Sequence, residues 1–204
     1  MHYIRHSMTD PDELPTYPDS HTPEFAANLL VEDGLELNEP KEEDAEELFT
    51  IVEENRSYLR EWLPWLDDVS SIDDEKSLIR REKQSKGNSK LYLIRLSGRI
   101  VGVIGLNWVD WDNKSFGLGY WLSEESTGQG IITKSCSRII DHCFYDLRLH
   151  RSVIEVAVEN HPSRSVAERL GMRLEGISKD REWLYDHFVD SVMYAITSSE
   201  WKED

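Results

Sequence analysis

The spacing of apolar residues changes once along this chain, near residue 90, and this change limits the folds open to it. Before it, three stretches carry apolar residues at helical spacing, at 41–55, 58–66 and 71–86. After it, residues 91–96 and 99–109 are apolar strands joined by Ser97-Gly98, a pair typical of a two-residue β-hairpin. The two periods in consecutive blocks predict an α+β fold, with helices packed on a sheet.

The C-terminal half alternates strands with helices. Its predicted elements are strand 115–122, helix 130–147, strand 152–158, helix 163–170 and strands 172–178 and 189–197. A short alternating strand at Leu35–Leu37 precedes the first helix. This order predicts an α+β sandwich whose sheet mixes antiparallel and parallel pairs.

Residues 1–34 differ from the rest of the chain. Prolines recur there among Asp, Ser, Thr and His, at Pro11, Pro15, Pro18 and Pro23. This composition predicts an irregular N-terminal arm, because proline lacks the N–H that helices and sheets use. We therefore predict two parts, the arm at 1–34 and one folded domain at 35–204.

The chain is strongly acidic. Its 204 residues include 40 Asp and Glu against 23 Lys and Arg, a formal net charge of −17. Such a field repels phosphates, so DNA and RNA are not expected as partners. It attracts a cationic or amine-bearing substrate; the alternative is that the acidity serves solubility only.

The cysteines and the lengths of the apolar segments indicate the cellular compartment. Cys136 and Cys143 lie seven residues apart in one predicted helix, roughly 10 Å along its axis, which is too far for a disulfide. No secretory signal follows Met1, and no run of about 18 apolar residues is present to span a membrane. We expect reduced core cysteines in a cytoplasmic protein with no membrane partner. The histidines are scattered, and His142 and His150 lack ligand spacing, so no metal site is predicted.

The most informative junction is Ser123–Thr133, between a strand and a helix, where Gly128 and Gly130 lie one residue apart. Glycine lets the backbone turn tightly and approach a ligand, and a helix start presents free N–H groups; together they can hold a pyrophosphate. Lys134 and Arg138, four residues apart, are candidates for a further phosphate contact. A plain tight turn fits the same residues, and Thr133 replaces the third glycine of the dinucleotide fingerprint G-x-G-x-x-G.

A second junction follows the buried strand at 152–158. Asn160 at the end of the strand and Ser163 at the start of the next helix would place an amide and a hydroxyl over a splayed sheet. Local capping explains both residues equally well, because Asn and Ser are common in turns and at helix N-caps.

The two junctions together resemble a known family. T-G-Q-G-I-I after a strand, then E-N-H-P-S…L-G-M at the next strand-to-helix junction, resembles the acetyl-coenzyme A motifs of the GNAT N-acetyltransferase superfamily. The segment N-R-S-Y-L-R-E-W-L-P-W at 55–65 and the stretch R-L-E-G…R-E-W-L-Y-D-H-F-V-D-S-V-M-Y-A are similar to bacterial ribosomal-protein N-terminal acetyltransferases of the RimL/RimJ type. The resemblance covers residues 35–197 and implies a mixed, mostly antiparallel, splayed sheet flanked by helices.

The resemblance implies acetyl-coenzyme A as co-substrate and a set of residues that bind it. These residues are Leu122, Ser123, Thr127, Gly128, Gln129, Gly130, Ile131, Ile132, Thr133, Lys134, Asn160 and Ser163. The N–H of Leu122 or Ser123 is expected to polarise the thioester carbonyl. The family usually has Gln or Arg where Thr127 stands and often a small residue where Ile132 stands, but neither departure removes a backbone N–H.

Direct acetyl transfer to an amine needs a base and a partner for the departing thiolate. By resemblance, Glu182 is the candidate base, with Trp183 raising its pKa by desolvation, and Ser163 is the candidate partner of the thiolate. The alternatives are an exposed Glu182 paired with Arg181 and a Ser163 that only caps its helix. Candidate substrate-binding residues are Asn55, Arg56, Trp62, Trp65 and Tyr185. For Trp62 and Trp65 the alternative is that they belong to the hydrophobic core, as is usual for tryptophans so close together on a helix.

The predicted function is N-acetylation of a protein's N-terminal α-amine, with ribosomal proteins the favoured acceptors. An acetyltransferase for a polyamine, amino acid or aminoglycoside is the enzymatic alternative. A non-catalytic acyl-coenzyme A-binding module is the alternative from another class. A homodimer through exposed edge strands is a further hypothesis.

Overall fold

The computed structural model describes residues 24–85 and 87–201, so most of the predicted arm, residues 1–23, lies outside the described residues. Within them, eight strands form one sheet in the order β1-β2-β3-β4-β5-β6-β8-β7. The strands are β1 (Asn28–Glu32), β2 (Leu35–Asn38), β3 (Lys90–Leu96), β4 (Arg99–Asp110), β5 (Ser115–Leu122), β6 (Arg151–Ala157), β7 (Arg173–Leu184) and β8 (His187–Thr197). Neighbours in this sheet pair antiparallel except β5 and β6, which are parallel. The predicted mixed sheet is confirmed.

The helices follow the predicted apolar stripes. They are α1 (Ala45–Glu54), α2 (Arg56–Leu59), α3 (Ile72–Glu82), α4 (Ile131–Asp141) and α5 (His161–Arg169). Ser71 caps α3 as predicted, because its side chain accepts the N–H of Asp74. Pro64 ends the α2 region by starting a 3₁₀ turn at Pro64–Asp68, and α4 continues as a π-helical turn at His142–Asp146.

The helices cover both faces of the sheet. Residues of α1 and α2 pack with Leu93, Val103 and Trp121 in one cluster, while α4 and α5 pack on Ile94, Ile104 and their neighbours in a larger one. Neighbouring strand residues divide between the two clusters because successive side chains point to opposite faces. Cys136 and Cys143 are buried and unpaired in the larger cluster. Their burial raises the pKa of both thiols and confirms them as core residues.

Two predicted boundaries are wrong. Residues 28–32, assigned to the irregular arm, form β1 and pair with β2, and Leu29 is buried in the larger core cluster. A five-residue strand with one buried apolar side chain leaves too weak an alternation to detect. The last two strands are longer than predicted, because the segment Arg181–Leu184 continues β7 into a hairpin with β8.

Candidate active site

A cleft opens in the sheet between β5 and β6. These strands pair only from Ser115–Leu118 to Arg151–Ile154. Beyond that point β5 stays paired with β4 and β6 stays paired with β8, but the two strands no longer pair with each other. The cleft is therefore bounded by residues 119–122 and 155–157, and α4 and α5 begin at this end of the sheet.

The junction between β5 and α4, called the glycine corner, presents backbone to open space. Gly128 and Gly130 adopt the left-handed conformation (φ +74° and +75°), and a Cβ on either would meet no atom within 4 Å. Gly130 is the N-cap of α4, and its helix start carries no side-chain cap. The first N–H groups of a helix lack intrahelical partners, so this corner can hold an anion. Ile131 and Ile132 are buried and fix it to the core.

Of the two candidate N–H donors to a carbonyl, only Leu122 faces the cleft. The N–H of Ser123 donates to the carbonyl of Val101 at 2.8 Å, on the β4 side. Neighbouring N–H groups of a strand point to opposite edges, so the N–H of Leu122 points toward β6. The expectation for Ser123 is wrong because its N–H is already used by the sheet.

The junction between β6 and α5, called the asparagine corner, holds a buried amide with one unused end. Asn160 is 2% exposed, and its Oδ1 accepts the N–H of Ser163 at 3.1 Å. Its Nδ2 is buried with no hydrogen-bond partner among the described residues. A buried donor left unpaired costs roughly 1–3 kcal/mol, so the amide is suited to a ligand that supplies an acceptor.

Ser163 is buried and fixed by its own backbone. Its N–H is capped by Asn160, and its carbonyl accepts the hydroxyl of Tyr120 at 3.2 Å. Tyr120 lies on β5, so this bond crosses the cleft to α5. Burial raises the pKa of Tyr120 well above its ordinary value, which keeps the hydroxyl a donor. Sequence reasoning missed Tyr120 because it is one of three aromatic residues in an almost wholly apolar strand, and nothing in the sequence distinguishes it from the other two.

The remaining predicted coenzyme residues hold the glycine corner together. Thr127 Oγ1 donates to the carbonyl of Glu124 at 2.7 Å, and Gln129 Nε2 donates to that of Glu125 at 3.3 Å. Thr133 Oγ1 accepts Arg169 Nε at 3.3 Å. These contacts are internal to the protein.

Lys134 and Arg138 tie α4 to β1. Lys134 pairs with Glu32 at 2.7 Å, and Arg138 Nε donates to the carbonyl of Leu30 at 3.1 Å. The prediction that both are available to phosphate is therefore not supported by their contacts. Both line a groove of about 560 Å³ on the outer face of α4, together with Thr133 and Arg169.

The candidate base lies on the terminal hairpin. Glu182 is half-buried on β7, opposite Val189. Trp183 is 52% exposed and packs edge-on against Phe188, with ring centroids 4.9 Å apart. Successive residues of a strand face opposite sides, so Trp183 does not cover Glu182, and the expected desolvation by Trp183 is wrong. Arg181 forms an ion pair with Glu155 at 2.8 Å.

Two of the predicted substrate-binding residues are used by the fold. Asn55 Oδ1 accepts the N–H of Glu124 at 2.9 Å, and its Nδ2 donates to the carbonyl of Ile51 at 2.8 Å. Asn55 therefore fastens the end of α1 to the glycine corner. Arg56 donates to the carbonyls of Leu66 (2.5 Å) and Val69 (2.6 Å) and pairs with Glu53. Their polar groups already have partners within the protein, and their contact with substrate stays a prediction.

The end of the terminal hairpin docks on the segment after α2. The hydroxyl of Tyr185 donates to the carbonyl of Arg60 at 2.7 Å, and the Arg60 guanidinium lies 3.9 Å from the centre of its ring. Trp65 is half-buried and packs against the α1–α2 cluster. Trp62 is also half-buried. The hairpin that carries Glu182 and the segment that carries Trp62 therefore meet.

Comparison with known proteins decides the family. The family model described as an acetyltransferase (GNAT) domain matches residues 35–173. The chain belongs to the GNAT acetyltransferases. It is therefore an acetyl-coenzyme A-dependent N-acetyltransferase, and the catalytic interpretation replaces the non-catalytic module.

Curated relatives of this acetyltransferase include ribosomal-protein enzymes. It is 33% identical over 169 residues to the ribosomal-protein-serine acetyltransferase of Escherichia coli K12, covering 82% of this chain and 94% of the relative. It is 34% identical over 172 residues to the putative ribosomal N-acetyltransferase YdaF of Bacillus subtilis 168, covering 82% and 92%.

Solved structures share the fold of the acetyltransferase. RimL, described as a ribosomal L7/L12 alpha-N-protein acetyltransferase in complex with coenzyme A, matches with a TM-score of 0.81 and 31% identity over 83% of this chain and 97% of that one. The microcin C7 self-immunity acetyltransferase MccE, in complex with acetyl-coenzyme A and AMP, matches with a TM-score of 0.79 and 29% identity, over 82% and 94%. The predicted GNAT-type splayed sheet is confirmed.

The described residues contain neither a membrane-spanning helix nor a metal-binding cluster. In residues 24–85 and 87–201, no helix is long and apolar enough to cross a membrane. Over the same residues, no three His, Cys, Asp or Glu side chains converge on a candidate metal position.

Proposed function

We propose that this acetyltransferase modifies the N-terminal α-amine of a protein, with ribosomal proteins the favoured class. The observation that carries the coenzyme part is the unpartnered amide of Asn160 beside the open glycine corner, at the point where β5 and β6 part. The acceptor part is supported by relatives whose names describe acetylation of ribosomal proteins.

The residues of the cleft fit acetyl-coenzyme A, which would supply an activated acetyl thioester. N–H groups from Gly128 to the first turn of α4 would bind its pyrophosphate, where the helix start favours negative charge. Asn160 Nδ2 would donate to an amide oxygen of the pantetheine arm, which satisfies the buried donor. The N–H of Leu122 would hold the thioester carbonyl.

In this proposal Glu182 is the general base, and Ser163 stabilises the leaving group. The amine nitrogen forms a bond to the acetyl carbon while the carbon–sulfur bond breaks, and Glu182 accepts the proton that the ammonium releases. The hydroxyl of Ser163 donates a hydrogen bond to the departing thiolate, which also lies near the N-terminus of α5 and its partial positive charge. Neither cysteine takes part, since both are buried thiols.

One observation favours a small cationic amine as the second candidate acceptor. The pKa of the Tyr58 hydroxyl is raised first by its burial and then by the nearby carboxylates of Glu124 and Glu61. These carboxylates place negative charge on the α2 side of the glycine corner. A polyamine would be attracted by that charge. A spermidine N(1)-acetyltransferase of Vibrio cholerae is 22% identical over 122 residues.

The deciding experiment measures thiol release from acetyl-coenzyme A with three matched acceptors. These are peptides with a free N-terminus and an internal lysine, the same peptides with a blocked N-terminus, and spermidine. The proposal predicts turnover with the first set alone. Turnover with the blocked peptides would contradict α-amine selectivity, and turnover with spermidine alone would move the function to small amines.

The role of Glu182 is tested by Glu182→Gln. General-base catalysis typically contributes a factor of about 100 or more, so kcat should fall by about a hundredfold while the affinity for coenzyme A stays unchanged. Glu46→Gln, an exposed change on α1, is the control and should retain kcat. Unchanged kcat in Glu182→Gln would remove this residue from the mechanism.

A further inference from the structure

The pairing of β7 with β8 is irregular at two places. Glu175 interrupts it near the start of β7, and residues 179–181 interrupt it directly before Glu182. Extra residues on one strand of an antiparallel pair form a β-bulge, which turns side chains away from their regular direction. Residues 179–181 are named the base bulge here, because the candidate base Glu182 follows them directly.

The base bulge directs Arg181 across the sheet. Its guanidinium Nε and Nη2 donate to the carboxylate of Glu155 at 2.8 Å and 3.4 Å, and Glu155 lies on β6, on the far side of β8. The N–H of Asp180 donates to the carboxylate of Asp190 at 2.9 Å, which fastens the bulge to β8. Asp180 itself has φ +48°, in the left-handed region that marks the turn of the bulge. Arg181 therefore connects β7 to β6 over the intervening strand.

Glu155 and Glu182 face the same side of the sheet, the side that carries α1 and α2. The residues before and after Glu155 on β6 belong to the core cluster under α4 and α5, so Glu155 points the other way. On β8, Val189 lies an odd number of positions from the core residue Val192 and therefore also points away from α5. Glu182 pairs with Val189 and shares its face. The ion pair and the candidate base therefore lie on one face.

Glu155 stands at the cleft. It is the first residue of β6 beyond the point where β5 and β6 stop pairing. Its side chain is 15% exposed, whereas that of Arg181 is 50% exposed. An ion pair with one half-exposed partner adds little to the free energy of unfolding. The main consequence of this pair is therefore where it holds the guanidinium charge.

The guanidinium charge matters because of its neighbour in the chain. A cation close to a carboxylate favours the ionised form and lowers its pKa, and a general base works best when its pKa lies near the working pH. A guanidinium paired with Glu182 would make that carboxylate a weaker base and would occupy the oxygen that must accept the proton. Glu155 already accepts two hydrogen bonds from Arg181, so this charge is balanced on β6.

Other charged groups at this end of the hairpin have partners of their own. On the segment after α2, Arg60 pairs with Asp67 at 2.8 Å. In the hairpin turn, the Nδ1 of His187 lies 2.7 Å from the carboxylate of Asp186. Release of Arg181 is therefore the change in charge that a loss of Glu155 would bring to Glu182.

We propose that Glu155 is a positioning residue for Glu182: it binds Arg181, which fixes the base bulge and keeps the guanidinium from pairing with the base. The inference rests on the proposed role of Glu182 as general base. Glu155 acts through Arg181 and contacts neither the acetyl group nor the amine.

Glu155→Gln tests the proposal in thiol-release kinetics, with a peptide that has a free N-terminus. We expect kcat to fall about tenfold, because a misplaced base reacts more slowly. The acid limb of the pH profile should move down by about one pH unit, because the released cation favours ionised Glu182. The affinity for coenzyme A and the thermal midpoint should stay unchanged. A purely structural role would not move the acid limb.

A second substitution identifies the cation that moves the limb. Adding Arg181→Gln to Glu155→Gln removes the guanidinium and should return the acid limb to its parent position. A limb that stays displaced in the double variant would contradict the proposal. Arg181→Gln alone, a change at an exposed residue, should lower kcat about tenfold with the limb in place. Parent kcat in this variant would also overturn the proposal.

Glu175→Gln is the matched control. Glu175 lies in the first bulge of β7 and pairs with Arg151 on β6, so this variant loses the same charge and an equivalent ion pair across β8, at the other end of the strands. It should keep the kcat and the pH profile of the parent. An equal loss of kcat in Glu175→Gln would mean that any such ion pair is needed, and would reject a specific role for Glu155.

The two proposals fail in different ways. Parent kcat and an unmoved acid limb in Glu155→Gln, beside a fall of about a hundredfold in Glu182→Gln, would overturn this inference and leave the proposed base in place. Parent kcat in Glu182→Gln would overturn the proposed base and this inference with it.

Discussion

The two corners of the cleft share a topology but differ in how they are built. Each joins a strand of the parallel pair to a helix that starts at the same end of the sheet. The glycine corner has open space around left-handed glycines and no capping side chain. The asparagine corner is closed by a capping amide, a proline in the first turn and a buried serine. The glycine corner therefore offers backbone N–H donors, whereas the asparagine corner offers side-chain donors that are held in place by the fold.

The largest effect is expected from filling the glycine corner. Gly130→Val forces a branched residue into the left-handed region, at a cost of about 1–2 kcal/mol, and places its side chain in the space next to the helix start. We expect coenzyme A to bind about a hundredfold more weakly by calorimetry, the loss of about two good anion contacts.

Gly98→Val separates this effect from backbone strain. Gly98 also has a positive φ (+84°) with no atom within 4 Å of an added Cβ, but it lies in the β3–β4 hairpin. It should lower the free energy of unfolding by a similar amount and leave coenzyme affinity intact. An equal loss of affinity in both variants would mean that general destabilisation, and not the corner, is responsible.

An intermediate effect is expected at the asparagine corner. Asn160→Asp keeps the oxygen that caps Ser163 but replaces the unpartnered Nδ2 donor with an acceptor. We expect coenzyme affinity to fall about tenfold, the equivalent of one hydrogen bond of about 1.4 kcal/mol. Calorimetry measures the affinity for coenzyme A. An unchanged free energy of unfolding in urea would show that the helix cap persists. Unchanged affinity would mean that no ligand uses this amide.

The smallest effect is expected from the bond across the cleft. Tyr120→Phe removes the hydroxyl that donates to the carbonyl of Ser163 but keeps the ring in the core. The free energy of unfolding should fall by about 1 kcal/mol, and kcat should change less than about threefold, because the hydroxyl positions α5 and does not contact the reacting atoms. Urea unfolding measures the free energy of unfolding, and thiol-release kinetics measure kcat. A large fall in kcat at unchanged stability would show that Tyr120 itself touches substrate.

The sequence predicted both corners because their residue types are set by local geometry. The glycines before α4 and the Asn-His-Pro-Ser start of α5 can be recognised from a few neighbouring residues. The structural contacts of Asn55 could not be predicted from the sequence, because one partner, the N–H of Glu124, lies 69 residues away in the chain. Choosing Leu122 over Ser123 needed the register between β4 and β5, which periodicity does not provide.

The contact between Tyr185 and Arg60 couples two segments that lie far apart in the chain. Tyr185 has φ +59°, a conformation that suits Gly or Asn and that costs a bulky residue about 1–3 kcal/mol. Its hydroxyl bond to the Arg60 carbonyl and the guanidinium over its ring offset that strain. The hairpin turn is therefore anchored to the segment after α2. Glu182 lies three residues before Tyr185 in the same hairpin, so this contact also holds the candidate base close to the segment that carries Trp62.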